Sequence, residues 1–563
     1  MTSLLPAALA SRAHDEALAV LLRCWLRETA RPVAGPGPLT IPLPGSPRSL
    51  AVEVLRRSPT GQHALGRVTV DGFDATLDDV APLLLAAAAA SAGLPASCSE
   101  TAVARVLDSA RRTARYATVR AHCPQVPDGL PRWLAAEQDL VAGHPFHPMA
   151  KSREDLPDGE DDVLAPELRG RFPLHWYAAR PSVIASGSTG LDVSALLHEL
   201  AADVRVPAGF LPVPAHPWQA ARLRDRPAAA ALLDAADLVD LGPGGAPWWP
   251  TSSLRTVARP GSPVMLKLSL GLRVTNSRRD NVRSELTLGT HTARLVDAGL
   301  GRALTASHPG FGLVRDPAWF GVDGAGPVGL DTGVREVPFH PRDEIACAGA
   351  LVDARPDRDR PVVADLVERL AARRGLDRAA AAADWYRDFL DAVAVPLLWL
   401  HGTHGIGLEA HLQNLLVGLD PDGRPDRGWY RDNQGWYLAA SKEAAAQAVL
   451  PGVGDGVPLV FDDALVTERV VYYLGVNALL GVAGSLAAAG LADEHDLMRV
   501  LADVLRAHLR GSAPSPAADV LLHATSLRTK ANLLTGVDGR DELDGPVETQ
   551  SVYVDVPNPL QEV

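Results

Sequence analysis

At 563 residues the chain exceeds what one hydrophobic core supports, so roughly two to four domains are expected. Hydrophobic residues make up 47% and charged residues 21%, which excludes wholesale disorder. With 67 acidic against 54 basic residues the net charge is −13, and that excludes a partner gripped along its phosphate backbone, so no nucleic acid is expected.

The first thirty residues read as a helix. They lack a basic n-region and carry Asp15 and Glu16 inside the apolar stretch, unlike a signal peptide. A Gly/Pro loop, RPVAGPGPLTIPLPGSP, follows, and then a hairpin pairs SLAVEVL with GRVTVDG around SPTG. Residues 76–141 return to Ala/Leu/Arg helical patterns, and a boundary falls near Ala142, where His, Pro and Gly take over. From there to about residue 350 the expected strands are PLHWYAA, ADVRVPA, DLVDLG, VMLKLSLGLRVT and GFGLVRD, with a helix over Asn281–Ala298. Helical periodicity resumes over Pro361–Trp399. Strand pieces LLVGL, GWYRD and GWYLA precede helices near 441–450, 463–490, 494–510 and 516–535, and the final PVETQSVYVDVPNPLQEV reads as an extended tail. Without a regular βαβ rhythm, the fold class is α+β.

Val470–Ala492 holds no charged residue and is long enough to cross a bilayer. Asn477, Ser485 and four glycines interrupt it, acidic residues flank it, and no Lys/Arg asymmetry orients it, so a buried core helix is expected and no membrane. Cys24, Cys98, Cys123 and Cys347 form no C-x-x-C pair, which fits a reducing, cytoplasmic setting.

Four constellations carry chemistry. In GHPFHPMAKSR (143–153), His144, His147, Lys151 and Arg153 gather on a Pro-stiffened loop that suits an anion better than zinc, since no third metal-spaced ligand is near. In TSSLRT (251–256), Ser253 and Thr256 flank Arg255, small donors beside a guanidinium that suit phosphate oxygens. Lys267 and Ser269 then alternate with Val264, Leu266, Leu268 and Leu270, as in a strand half buried beneath a ligand, and Asn276 and Arg279 lead into the next helix. Last, HGIGLEAHLQNLLV (404–417) crowds Glu409, His411, Gln413 and Asn414 before an apolar run. An extended chain would put Glu409, His411 and Gln413 on one face. With Asp432, Glu409 and Asn414 supply the oxygen ligands that Mg2+ prefers, leaving its other positions to phosphates and water.

A kinase-type phosphotransferase would use a loop base Asp, an Asn ligand and a later Asp. His404, Asn414, Leu415–Val417 and Asp432 echo that order. However, no Asp lies between His404 and Asn414, and no G-x-G-x-x-G loop stands near Lys267. A carboxylate-binding protein without catalysis is the other alternative, and the complete polar set speaks against it.

GHPFHPMAKSR, TSSLRT, KLSLGLRVTNSRRDN, EAHLQN and the later Arg431–Asp432 occur in an order that resembles the IucA/IucC family of siderophore synthetases, which work without a peptide-synthetase assembly line. SLRTKANLLTG resembles that family's closing lysine segment. The resemblance implies a cupped hand: a largely helical thumb over 1–141, fingers over 142–385 that hold ATP phosphates, and a palm over 386–563 with the metal and carboxylate site. It implies an ATP-dependent ligase that adenylates a carboxylate of citrate or a citrate derivative. The acyl group then passes to an amine, hydroxylamine or alcohol, with release of AMP and pyrophosphate. By the same resemblance Ser253, Arg255, Thr256 and Lys267 hold the phosphates, assisted by His144, His147, Lys151 and Gln413. Arg279 and His411 grip the polycarboxylate, and Glu409, Asn414 and Asp432 sit at magnesium. Lys267, Arg279 and His411 would be the catalytic groups, and a homodimer is expected.

Overall fold

The computed structural model describes residues 4–539, 541 and 549–563. The helix Leu4–Glu28 packs with Leu77–Ser91 and Ala96–His122 around Leu21, Leu22, Trp25, Leu84 and Val106. A four-stranded antiparallel sheet covers this layer. The expected hairpin forms its centre, but the Gly/Pro stretch expected as a loop supplies an edge strand, Gly37–Pro42. An edge strand accepts proline because one side of its backbone needs no partner. The chain returns here near its end: Leu533 and Val537 join this core, and the Glu28 carboxylate accepts the backbone N–H of Leu533 at 3.0 Å and of Leu534 at 2.9 Å.

An eight-stranded sheet occupies the middle of the chain, in the order 184–188, 318–322, 332–336, 264–268, 256–258, 238–250, 172–179 and 211–215. Three expectations change here. ADVRVPA is a turn and loop after the helix Val193–Leu200, and the strand lies further on, at Leu211–Ala215. DLVDLG opens a strand of 13 residues, Leu238–Pro250, that runs through the glycines and tryptophans. VMLKLSLGLRVT is two strands in different sheets, broken at Ser269, whose hydroxyl donates to Asp331 O at 2.7 Å and accepts Asn281 N–H at 3.1 Å.

The third core spans Leu288 to Leu560 and includes Trp385, Tyr386 and Phe389, so residue 385, placed between the second and third expected domains, is itself in its interior. The Pro361–Trp399 periodicity is two helices, Val362–Arg374 and Arg378–Phe389, separated where Gly375 takes φ +64°, followed by a helical run to His404. Asp463–Ala488 forms one helical run of 26 residues whose apolar window is 89% buried, so its hydrophobicity is spent on protein packing. Within it, Val471–Leu479 is wound as a π-helix. The expected helix over 516–535 is interrupted: Ser526–Lys530 is a strand paired antiparallel with Tyr553–Pro557, so the extended tail packs as a strand. The first residues of that tail, 546–548, lie outside the described residues.

Candidate active-site cleft

Every residue to which the family resemblance gives a role lines one cleft of about 1090 Å3, whereas Arg153, Ser269 and Asn276 lie outside its lining. Lys267 reaches it from Val264–Leu268, a strand buried along its whole length rather than on alternate positions. The residue is 3% exposed, and its ammonium donates to Asp432 Oδ1 at 2.9 Å and to Asn433 Oδ1 at 3.0 Å. Arg335, on the neighbouring strand, holds Asp316 at 2.6 and 2.9 Å and reaches Asp432 Oδ1 at 3.2 Å. These cations hold the Asp432 carboxyl far below its usual range despite its burial, while burial lowers the Lys267 ammonium. Asp432 also sits at φ +118°, where a non-glycine residue is strained by about 1–3 kcal/mol and persists only if its surroundings fix it. Here two cations and its own contact to the Asn433 N–H do so.

TSSLRT is the tight link between Leu238–Pro250 and Thr256–Ala258. Ser253 Oγ accepts Thr256 N–H at 3.1 Å. The Arg255 guanidinium donates to Arg279 O at 2.9 Å, to Asn281 Oδ1 at 3.0 Å and to Gln434 Oε1 at 3.2 Å, and burial brings its pKa down to about 10. Beside it, Arg431 donates to Glu137 at 2.5 Å, to Ser252 Oγ at 3.1 Å and to Gln413 O at 2.7 Å, and Gln413 Nε2 reaches Ser252 Oγ at 3.4 Å. Arg279 lies in a short strand, Ser277–Arg279, paired with Leu270–Val274, and donates to Val274 O at 3.2 Å and Thr275 Oγ1 at 3.0 Å. The next helix starts only at Arg283, so Asn276 and Arg279 belong to a hairpin and not to a helix entrance.

EAHLQN is not extended. The strand ends at Leu408, and the chain turns tightly, with His411 N–H donating to Glu409 O at 2.9 Å and Asn414 N–H to His411 O at 2.9 Å. A period-two face therefore does not exist; the turn itself gathers the side chains. Asn414 Nδ2 closes it on Glu409 O at 3.1 Å. The Glu409 carboxylate accepts Tyr437 O–H at 2.5 Å and a second phenol from Tyr473, and burial raises its pKa. His411 Nδ1 accepts Gln413 N–H at 3.2 Å, which leaves its proton on Nε2. Burial pushes its pKa down to about 4, so at neutral pH it is an uncharged donor.

The π-helical stretch supplies what joins the two loops. Asn477 Oδ1 accepts Leu412 N–H at 3.1 Å, and its Nδ2 lies 2.5 Å from His144 Nε2. His144 and His147 each turn Nδ1 back on their own loop, to Phe146 N–H at 3.0 Å and Met149 N–H at 3.2 Å. Lys151 lines the cleft as well, yet its ammonium is committed to Glu167 at 2.7 Å and Leu140 O at 2.5 Å, in a buried network with Arg153. Sequence reasoning missed Arg335, Glu137, Tyr437, Tyr473 and Asn477. Asn477 alone left a trace, as a polar interruption in an apolar run; the others stand in ordinary strand or helix patterns.

Among the described residues no three His, Cys, Asp or Glu side chains are grouped as a metal cage. The donor chemistry separates the three expected Mg2+ ligands. Asp432 lies beside the lysine suited to phosphate, and Asn414 is an oxygen donor in the same cleft, which fits a hard cation that arrives with most of its own ligands. Glu409 already accepts two phenols.

The sequence model of the IucA / IucC family matches residues 132–353. The Rhizobactin siderophore biosynthesis protein RhbC of Rhizobium meliloti is 36% identical over 550 residues, covering 93% of this chain and 92% of the relative. The chain belongs to the IucA/IucC family. A spermidine-citrate ligase of Bacillus anthracis is 34% identical over 445 residues, 76% of this chain and 73% of that protein. The ATP-bound structure of aerobactin synthetase IucA from a hypervirulent pathotype of Klebsiella pneumoniae superposes with a TM-score of 0.85 at 26% identity, covering 98% and 99% of the two chains. Residues 383–545 also match a model described as a ferric iron reductase FhuF-like transporter. The α+β architecture expected from the sequence is that of this family's synthetases.

Proposed function

We propose that this member of the family adenylates a carboxylate of citrate, or of a citrate derivative, with ATP and passes the acyl group to an amine, hydroxylamine or alcohol. The observation that carries it is the joining, in one cleft, of a buried cation set at Lys267, Arg255 and Arg335 with the turn that presents His411. The names of the relatives support it, since they are siderophore and citrate ligases, and one was solved with ATP.

Carboxylate attack on the α-phosphate brings two anions together, so fixed cations must offset their repulsion and the charge that grows on phosphorus oxygens. Lys267 does this from a buried strand and Arg255 from the tight link between two others, with Ser253 and Thr256 as short donors; Gln413 borders them through Ser252. When bound, Mg2+ neutralises part of the phosphate charge; Asp432 and Asn414 would hold it. Asp432 keeps Lys267 and Arg335 extended toward the phosphate position until the nucleotide takes them over. Arg279 and the Nε2–H of His411 grip the carboxylates, charge from one and direction from the other. His144 and His147 line the same cleft beside them, and His144 is tied to the turn through Asn477.

The test is citrate-dependent exchange of labelled pyrophosphate into ATP with no amine present. Exchange that requires citrate supports the reading, and exchange indifferent to every polycarboxylate offered rejects it.

A further inference from the structure

One carboxylate that lines the cleft has no part in the steps above. Glu285 stands in the first turn of the helix Arg283–Leu295. Its carboxylate accepts the Gln434 Nε2–H, and Gln434 Oε1 accepts the Arg255 guanidinium at 3.2 Å. The neighbouring Asn433 repeats the pattern: its Nδ2 donates to the Glu285 backbone carbonyl at 3.3 Å, and its Oδ1 accepts the Lys267 ammonium at 3.0 Å. Each amide therefore has one end on a cation of the phosphate site and the other on Glu285. Chemistry fixes which end is which, because guanidinium and ammonium only donate, whereas a carbonyl or an ionised carboxylate only accepts. The helix comes as near as glycine permits: one turn on, a Cβ at Gly289 would lie 2.4 Å from Asn433 Nδ2. Burial raises the Glu285 carboxyl, and the charges of Lys267 and Arg255 pull it back down.

We infer that Glu285 is a positioning residue, which through Gln434 fixes the direction of the Arg255 guanidinium and so sets the affinity for the nucleotide. This rests on the reading above of Arg255 as a donor to ATP phosphates. Arg279 O and Asn281 Oδ1 hold Arg255 Nη1, and Gln434 holds Nη2, so the planar fork is fixed at both ends. A neutral amide does this without cancelling the charge of the guanidinium, as a carboxylate in direct contact would. Because Gln434 is itself tied to Glu285, neither side chain has to be ordered when the phosphates arrive. The Asn433 contact uses the backbone of Glu285, so a side-chain variant at 285 leaves that partner of Lys267 in place.

Calorimetric titration with MgATP reads this directly in the full-length protein and in Gln434→Ala, Glu285→Ala, Glu285→Gln and the double variant Gln434→Ala/Glu285→Ala. The Kd should rise about tenfold in Gln434→Ala and in Glu285→Ala, as for one lost hydrogen bond to a charged group. The double variant should also lose about tenfold, not about a hundredfold, because both changes act on the same guanidinium. Glu285→Gln keeps an acceptor for Gln434 Nε2 and should stay within about threefold of the parent. An additive double variant would overturn the proposal, and so would a Gln434→Ala protein with the parent's Kd. Glu285→Gln as weak as Glu285→Ala would overturn it too, since the charge of Glu285 and not its hydrogen bond would then be at work. Gln434→Ala leaves the carboxylate in place and decides alone if Glu285→Ala does not fold, and a parent that binds no MgATP rejects the proposal outright. Citrate-dependent pyrophosphate exchange on the same parent tests adenylation separately: its absence rejects that reading while the Kd comparison still decides this one.

Discussion

Lys267 and Asp432 hold one another at 2.9 Å, the lysine buried and the carboxylate one-fifth exposed to the cleft, and Arg335 completes the group. Removing Lys267 or Arg279 takes away a single fixed donor to developing charge, so K267A and R279A should each lower kcat by about a hundredfold or more, with the fold retained by circular dichroism. Near-normal turnover in folded Arg279→Ala would take that residue out of the site. Asp432 carries a further consequence. Its carboxylate is the counter-ion of two buried cations, so Asp432→Ala should cost about 3–5 kcal/mol in a denaturant melt as well as activity, because the cations are left unpaired. A mutant that loses turnover at unchanged stability would show that the ion pairs contribute no net stability.

At the scale of elements, the cleft is held by short links between strands and by one irregular helix. Gly143 opens the histidine loop at φ +97°, and a Cβ there would lie 2.9 Å from that of Ala150. Gly143→Ala should therefore destabilise by about 1–3 kcal/mol and raise the KM for ATP, both measurable on one preparation. The π-helical Val471–Leu479 offsets Asn477 so that one side chain reaches two loops at once. Much of the cleft was legible in the sequence because its residues come in short local runs whose side-chain chemistry does not depend on how the run is folded. How each run is folded was less legible. EAHLQN had the composition of a strand entrance, but i to i+2 backbone contacts turn it. Lys267 sat in an alternating pattern, but the strand is buried on both faces because the cleft covers the lysine side. Arg335 and Glu137 were invisible, and Asn477 left only its trace as a polar interruption, for another reason: the contacts that bring them to the cleft reach more than sixty residues along the chain.

Across the whole molecule, burial sets how stability answers to pH. His63, His401 and His411 are pushed down to about 4 and His216 to about 3, all by burial, whereas their unfolded value is near 6.5. Between those values the unfolded chain binds the extra protons, so these groups make stability rise with pH. Glu28, raised to about 7, and Asp353, raised to about 6, act in the opposite direction, since their folded forms hold protons that the unfolded chain has released. Four histidines outweigh two carboxyls, so Tm should fall as pH is lowered from about 6.5 to about 5. A Tm that is flat or rising over that interval would mean these histidines are charged in the folded state. The most direct test of the central claim is the fate of the nucleotide. With ATP, Mg2+, citrate and hydroxylamine, phosphorus NMR should show AMP and pyrophosphate appearing together and only when citrate is present. ADP as the citrate-dependent product would contradict adenylation and return the cleft to phosphoryl transfer.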